Sequence, residues 1–150
     1  MGPSRKIVYV DMDNVLVDFP SGIARLDQST VREYEGRLDE VPGIFGLMDP
    51  LCGALEGFQR LAARYDTYIL STAPWENPSA WTDKLLWVKQ HLGQAAYKRL
   101  ILSHNKHRNA GDYLIDDRTK NGAGDFEGEL ILFGSEQYPD WAAVLRYLGA

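Results

Sequence analysis

Residues 7–13 read Ile7-Val8-Tyr9-Val10-Asp11-Met12-Asp13, and they combine an apolar run with a pair of acids. Four apolar residues in succession, with no alternation of polar and apolar side chains, are typical of a strand that is buried on both faces. Two carboxylates separated by one residue follow this strand. Because ligands of an open parallel sheet bind beyond the carboxyl ends of its strands, the sequence predicts that Asp11 and Asp13 face a binding site.

Four further short apolar runs predict the other strands, at residues 67–70, 100–102, 113–115 and 130–133. Helical patterns separate these runs, and the helix that begins at Pro78 carries an apolar stripe formed by Trp81, Leu85, Val88 and Leu92. The alternation of strands and helices predicts an α/β fold with a doubly wound parallel sheet and right-handed crossovers.

Residues from about 19 to 50 interrupt this alternation, since they carry charges and glycines and show only weak helical periodicity. We interpret them as a small, helical cap insertion after the first strand, over the carboxyl end of the sheet. The 150 residues fit one domain that contains this insertion.

Three other predicted strands also lead into polar groups. Thr72 follows the second strand, Lys106 lies in the loop after the third, and Asp116 and Asp117 follow the fourth. Each group by itself also fits an ordinary turn or a solvated loop. The carboxyl ends of parallel strands share one edge, however, so the four acids and the lysine should converge there.

Converging carboxylates repel one another and a phosphate dianion. A hard divalent cation removes both problems, and Mg²⁺ is the natural choice because it binds carboxylates, backbone carbonyls, waters and substrate phosphates. Lys106 would supply further positive charge. The sequence therefore predicts a magnesium-dependent site for phosphoryl transfer.

The four features resemble the ordered motifs of the haloacid dehalogenase superfamily, which are DxD, a Ser or Thr, a Lys, and a paired acid. More narrowly, the chain resembles the 5′(3′)-deoxyribonucleotidase family. The matching segments are DMDNVLVDF at 11–19, STAPWENPSAWTDKLLWVKQHLG at 71–93, and HNKHRNAGDYLIDDRTKNGAGDF at 104–126.

The resemblance implies a phosphomonoester hydrolase that works through an aspartyl-phosphate. Asp11 would be the nucleophile, and Asp13 would protonate the leaving group and then deprotonate the attacking water. Thr72 would bind a phosphoryl oxygen, and Lys106 would bridge Asp11 and the phosphate.

The same resemblance implies a set of Mg²⁺ ligands. They are an oxygen of Asp11, the backbone carbonyl of Asp13, and an acid of the last motif, for which Asp117 is favoured and Asp116 is second. A GDxxxD pattern would use Asp112 and Asp116 instead, but Asp112 precedes its strand and so belongs at the wrong end of the sheet.

The narrower resemblance implies a nucleoside monophosphate as the substrate. Phe19 and Trp75, which follow the first and second motifs, are candidates for packing against its base. Glu76 stands where animal relatives carry a lysine that contacts phosphate. Two alternatives stay open: a phosphatase of another small phosphorylated metabolite, such as a sugar phosphate, and a receiver-like signalling domain that accepts a phosphoryl group.

Composition restricts the partners and the compartment. The net charge of −5 and the lack of a long basic stripe weigh against long nucleic acid. The apolar runs are too short to cross a membrane. A single cysteine, Cys52, and a polar segment 1–6 without a signal-peptide apolar region predict a cytoplasmic protein.

Overall fold

A computed structural model of the chain describes residues 4–150; residues 1–3, part of the polar N-terminal segment, lie outside it. The strands and helices follow in the order β1 (Ile7–Val10), β2 (Val17–Asp18), α1 (Phe19–Ile23), α2 (Gln28–Glu33), β3 (Asp49–Pro50), α3 (Ala54–Arg64), β4 (Asp66–Ser71), α4 (Pro78–His91), β5 (Leu100–Leu102), β6 (Tyr113–Asp116), β7 (Glu129–Leu132) and α5 (Trp141–Leu148). No helix in the described range has the length and apolar character needed to cross a membrane.

Five of these strands form a parallel sheet in the order β5-β4-β1-β6-β7. The register pairs Val8 of β1 with Thr67 of β4 on one side and with Tyr113 of β6 on the other. The predicted α/β fold and its five strands are confirmed, each within one residue at either end. Because β1 is the central strand, Asp11 lies in the middle of the carboxyl edge.

The two faces of the sheet are covered differently. Val8 and Val10 of β1 belong to a large apolar cluster with side chains from α3, α4 and α5, while Tyr9 belongs to a smaller cluster on the other face. Shorter segments cover that second face, including the turn of 3-10 helix at Ala123–Asp125. Successive side chains of β1 pack into apolar clusters on opposite faces of the sheet, which explains why its sequence is continuously apolar.

Helix α4 begins after Asn77, as predicted, and Trp81, Val88 and Leu92 of the predicted stripe pack against the core, but Leu85 does not. Leu85 is 42% exposed, and the buried side chains are Ala80, Lys84, Trp87 and Val88. The prediction that Leu85 packs in the core was wrong because the helix is turned so that a lysine points inward. That lysine finds polar partners at the carboxyl edge of the sheet, described below.

Strands β2 and β3 pair in an antiparallel ladder and bring together the two ends of the segment between them. This segment, which we call the insertion (residues 19–48), contains α1, α2 and two 3-10 turns at Leu38–Glu40 and Ile44–Gly46. Helix α4 holds it in place. Asn77 Nδ2 donates to the carbonyl oxygens of Asp39 and Val41 at 2.9 and 3.1 Å, and Trp87 Nε1 donates to that of Met48 at 2.9 Å.

Candidate active site

A tight turn after β1 aims its two carboxylates at the carboxyl edge of the sheet. The carbonyl oxygen of Met12 accepts from the amides of residues 15–17 at 2.8–3.1 Å. Asn14 takes a left-handed conformation with φ 60°, which Asn tolerates better than most residues. The chain therefore reverses within a few residues, and Asp11 is buried while Asp13 is partly exposed.

Lys106 lies at the centre of the acidic cluster. Its buried Nζ donates to Asp11 Oδ1 at 2.9 Å and to Asp116 Oδ2 at 2.6 Å. These charge-assisted bonds fix both carboxylates, which come from neighbouring strands β1 and β6. The structure thus brings together Asp11 and Lys106 as the sequence predicted, and adds Asp116 as a partner of the lysine.

The loop that carries Lys106 is supported by a second loop that follows β6. The amide of Lys106 donates to the carbonyl oxygen of Asn121 at 2.8 Å. At Gly122, where φ is +84°, a Cβ would lie 2.2 Å from His107 Nδ1, so only glycine allows the loops to approach this closely. This contact explains how a lysine in a short loop is held at a fixed position.

Burial and crowding shift the pKa values of the acids. Burial, with the nearby negative charges of Asp116 and Asp13, raises the pKa of Asp11 to about 7 against the opposing effect of Lys106. Burial and the charge of Asp11 likewise raise the pKa of Asp117 to about 6. For Lys106, burial alone would lower the pKa, but Asp11 and Asp116 outweigh it and the pKa is raised.

Three carboxylates form a set that fits a hard cation. One oxygen atom each of Asp11, Asp116 and Asp117 lies within 4.8 Å of the other two. The two oxygens of Asp116 are engaged, Oδ2 by Lys106 and Oδ1 by the amide of Arg118 at 3.0 Å. Asp117 Oδ1, in contrast, is buried and has no hydrogen-bond partner among residues 4–150. A buried carboxylate oxygen that accepts no hydrogen bond and lies beside two other acids fits the role of a metal ligand.

The predicted substrate residues do not all line the same cavity. A cavity of about 360 Å³ lies between the acidic cluster and the insertion, lined by Asp13, Asp117, Phe19 and Arg118 among others. A neighbouring cavity of about 330 Å³ shares Asp13 and Arg118 but is lined by Trp75 and not by Phe19. Phe19 and Trp75 therefore line different cavities, and Asp13 lines both.

Thr72 lies beside the second cavity, and its hydroxyl already has a partner. Oγ1 of Thr72 donates to the carbonyl oxygen of Ser103 at 2.7 Å, which joins the loops after β4 and β5. The hydroxyl would have to rotate away from Ser103 to donate to a phosphoryl oxygen. Trp75 is 75% exposed, and its ring contacts that of His104, with 5.8 Å between the ring centroids.

Lys84 is a site residue that reasoning from the sequence missed. Its Nζ donates to Asp13 Oδ1 at 2.9 Å and to Ser71 Oγ at 2.7 Å, and the side chain is wholly buried. The available signal was its place in α4, four residues after Ala80 and three before Trp87, because a lysine at that spacing lies on the face that turns inward.

The charges of the site do not balance without an added cation. Four carboxylates lie with the two buried ammonium groups of Lys84 and Lys106 and with the guanidinium of Arg118, which leaves a formal excess of one negative charge before a phosphoryl group is bound. A divalent cation would neutralise this excess. The arrangement as a whole, with a buried carboxylate, a second acid nearby and three carboxylates that could hold a cation, is suited to phosphoryl transfer.

Comparison with known sequences agrees with this chemistry. Residues 26–146 match the family described as 5′ nucleotidase, deoxy (Pyrimidine), cytosolic type C protein. A protein of Vibrio phage KVP40 assigned as a 5′(3′)-deoxyribonucleotidase is 60% identical over 144 residues, which cover 96% of this chain and 85% of that protein. The human cytosolic 5′(3′)-deoxyribonucleotidase is 30% identical over 167 residues, covering 92% of this chain and 78% of the human one.

Solved structures with a similar fold are haloacid dehalogenase-like hydrolases. A hydrolase of Bacillus subtilis bound to magnesium superimposes with a TM-score of 0.69, covering 99% of this chain and 100% of that one at 11% identity. A hydrolase of Deinococcus radiodurans with bound phosphate and sodium gives a TM-score of 0.55, covering 100% and 90% at 18% identity. At these identities the structural comparison supports the fold alone.

Proposed function

The chain belongs to the 5′(3′)-deoxyribonucleotidase family of haloacid dehalogenase-type phosphatases, and we propose that it hydrolyses nucleoside monophosphates with the help of Mg²⁺. Family membership makes the chain an enzyme and removes the receiver-like signalling domain as an alternative. The observation that carries the proposal is the cluster of Asp11, Lys106 and Asp117, of which Asp117 also lines the cavity of about 360 Å³.

In the proposed reaction Asp11 is the nucleophile. Its carboxylate attacks phosphorus, the ester P–O bond breaks, and an aspartyl-phosphate forms. Lys106 donates to Asp11 Oδ1, which orients the carboxylate and leaves Oδ2 for the other contacts of the site. Asp13 gives a proton to the leaving oxygen and takes one from the water that releases phosphate from Asp11.

The residues that would hold Mg²⁺ are Asp11, Asp117 and the backbone carbonyl of Asp13. No hydrogen-bond donor among residues 4–150 contacts that carbonyl oxygen, and the unpaired Oδ1 of Asp117 favours this acid over Asp116. The bound ion would neutralise negative charge on the carboxylates and on the phosphoryl group. Asp116 then has a different role, which is to hold Lys106 in place.

The size and lining of the cavity support a nucleoside as the leaving group. Its volume of about 360 Å³ lies within the range of small-molecule sites, which is roughly 300–1,000 Å³. Its lining includes the aromatic ring of Phe19 and the positive charge of Arg118 together with Asp13 and Asp117. We assign the base to the Phe19 side of the site, and Trp75 becomes the alternative if the base lies in the second cavity.

A phosphate-release panel tests the proposal. Deoxynucleoside monophosphates, ribonucleoside monophosphates and sugar phosphates are compared at equal concentration with Mg²⁺, by kcat/KM for wild type, Phe19→Ala and Trp75→Ala. A preference for nucleoside monophosphates that Phe19→Ala weakens and Trp75→Ala does not would support the assignment. A flat profile, or one led by sugar phosphates, would refute the nucleotide substrate while leaving the phosphatase chemistry intact.

The proposed place of action is the cytoplasm. The single cysteine, Cys52, is exposed and free, which suits a reducing compartment. The human relative is named as a cytosolic type. Fractionation of cells that produce the protein, followed by immunoblotting, would test this placement.

A further inference from the structure

Lys84 is a buried lysine that the reaction described above does not use. It projects from α4 with no part of its side chain exposed, although lysines are almost never fully buried unless they are paired. Its ammonium group has three neighbours from three parts of the chain. They are Asp13 Oδ1 after β1, Ser71 Oγ at the end of β4, and the ring of Phe45 in the insertion, whose centroid is 4.5 Å away.

Asp13, the partner of Lys84, has no other side chain to hold it. The carboxylate is 19% exposed, and its Oδ2 has no hydrogen-bond partner among residues 4–150. Asp13 lines both of the cavities described above and so lies at their junction. A general acid must reach the leaving oxygen within about 2.6–3.2 Å, so a short carboxylate that rotated freely at this junction would often point away from it.

We propose that Lys84 is a positioning residue for Asp13, one that fixes Oδ1 so that Oδ2 faces the leaving oxygen of the substrate. This inference rests on the proposed function. Phe45 assists by covering the ammonium group, because a cation over an aromatic face in a place without water is attracted more strongly than in solvent. The insertion thereby contributes to the chemistry as well as to the cavity.

The proton balance shows where the effect of Lys84 should appear. In the first step the Asp11–phosphorus bond forms, the ester P–O bond breaks, and the proton of Asp13 moves to the leaving oxygen, which departs as an alcohol. In the second step water attacks phosphorus and gives a proton to Asp13. The bond between Asp11 and phosphorus breaks, and inorganic phosphate is released. Lys84 keeps its protons throughout. An alkoxide leaving group needs that first proton, whereas 4-nitrophenolate, a weak base, departs without it.

The experiment compares two phosphate esters in wild type and Lys84→Gln. Turnover of deoxynucleoside and alkyl monophosphates should fall about a hundredfold, as expected for a misplaced catalytic group. With 4-nitrophenyl phosphate, rapid-mixing measurements should still show a burst of nitrophenolate at close to the wild-type rate, followed by slow release of phosphate. The slow phase follows because the second step still needs Asp13 as a base.

Two control variants make the result specific. Lys89→Gln removes an exposed lysine from the same helix and should change neither ester. The double variant Asp13→Asn with Lys84→Gln should be no slower than Asp13→Asn alone, because a positioning residue has nothing to position once its partner is neutralised.

If Lys84→Gln does not fold, as judged by its melting transition, Phe45→Leu keeps both charges and should give a smaller loss of activity with the same dependence on the leaving group.

Two results would overturn the inference. Equal loss of the alkyl-ester rate and of the nitrophenolate burst would make Lys84 a general structural residue, and wild-type rates with both esters would leave it without a role. Neither result touches the proposed function, which is tested separately by phosphate release from the substrate panel with the wild-type enzyme and Mg²⁺.

Discussion

At the amino end of the central sheet Asp66 and Asp112 lie near solvent, whereas at the carboxyl end Asp11 and Asp116 are buried. Each acid of the amino end has a simple partner. Asp112 Oδ2 accepts from the amide of Ile7 at 2.8 Å, and Asp66 pairs with Arg99 at 2.5 Å in a partly exposed salt bridge.

The arrangement of the acids at the carboxyl end costs free energy of folding. Asp11 and Asp117 have raised pKa values because they are buried beside other negative charges, and one oxygen of Asp117 has no partner. Acids placed for stability alone would not be crowded in this way. The difference between the two ends teaches that burial and crowding, rather than the number of acids, distinguish a site of chemistry from a structural position.

The largest expected difference between the ends is in activity. Asp11→Asn should lower kcat by at least about a thousandfold, since no other group can form the covalent intermediate. Asp112→Ala should leave kcat unchanged and lower stability by about 1 kcal/mol, the worth of one hydrogen bond. Phosphate release and urea denaturation measure both quantities. Retained activity in Asp11→Asn would refute the nucleophile assignment.

The next difference is in stability. Lys106→Met leaves Asp11 and Asp116 buried without their shared cation, and loss of one partner from a buried pair costs about 3–5 kcal/mol. Arg99→Met removes a partly exposed salt bridge and should cost about 1 kcal/mol or less. Equal effects in denaturant titrations would contradict the view that only the carboxyl end is a buried charge network.

The smallest expected effect is on the pH dependence of the metal-free protein. The folded chain holds the proton of Asp11 up to about pH 7, whereas the unfolded chain releases it near the usual value of 3.8. The stability that Asp11 contributes is therefore complete below about pH 4 and is lost as the pH rises through 7. Asp117 contributes stability in the same direction, and this contribution is lost as the pH rises through about 6.

In the presence of a chelator, Tm should consequently fall by a few degrees between pH 5 and pH 8, and Asp11→Asn should reduce this fall. Bound Mg²⁺ requires ionised carboxylates, so the half-saturating Mg²⁺ concentration should rise as the pH drops below about 7. A Tm that rises over the same range without metal would show that the acids at the carboxyl end are not destabilised by burial. Asp112→Ala, at the other end of the sheet, serves as the control.

Much of this architecture was predictable because local sequence and sheet topology are closely linked. The apolar runs identified all five strands of the parallel sheet, and parallel strands necessarily bring residues such as Asp11 and Asp117 to one edge. The inward face of α4 was not predictable in the same way. Lys84 lies outside the apolar stripe, and a polar side chain in a helix usually faces solvent, so the local pattern does not predict its burial.

Local sequence pattern was enough to predict which types of side chain follow which strands, since strand ends and turns depend on neighbouring residues. It could not decide which groups pair, because pairing depends on distances of a few ångströms between residues far apart in the chain. The family resemblance already paired Lys106 with Asp11, but only the tertiary structure added Asp116 as a partner of Lys106, left Asp117 with an unpaired oxygen, and turned Lys84 towards Asp13. Charges interact strongly only where the fold removes water from around them, and that condition exists only after the chain has folded.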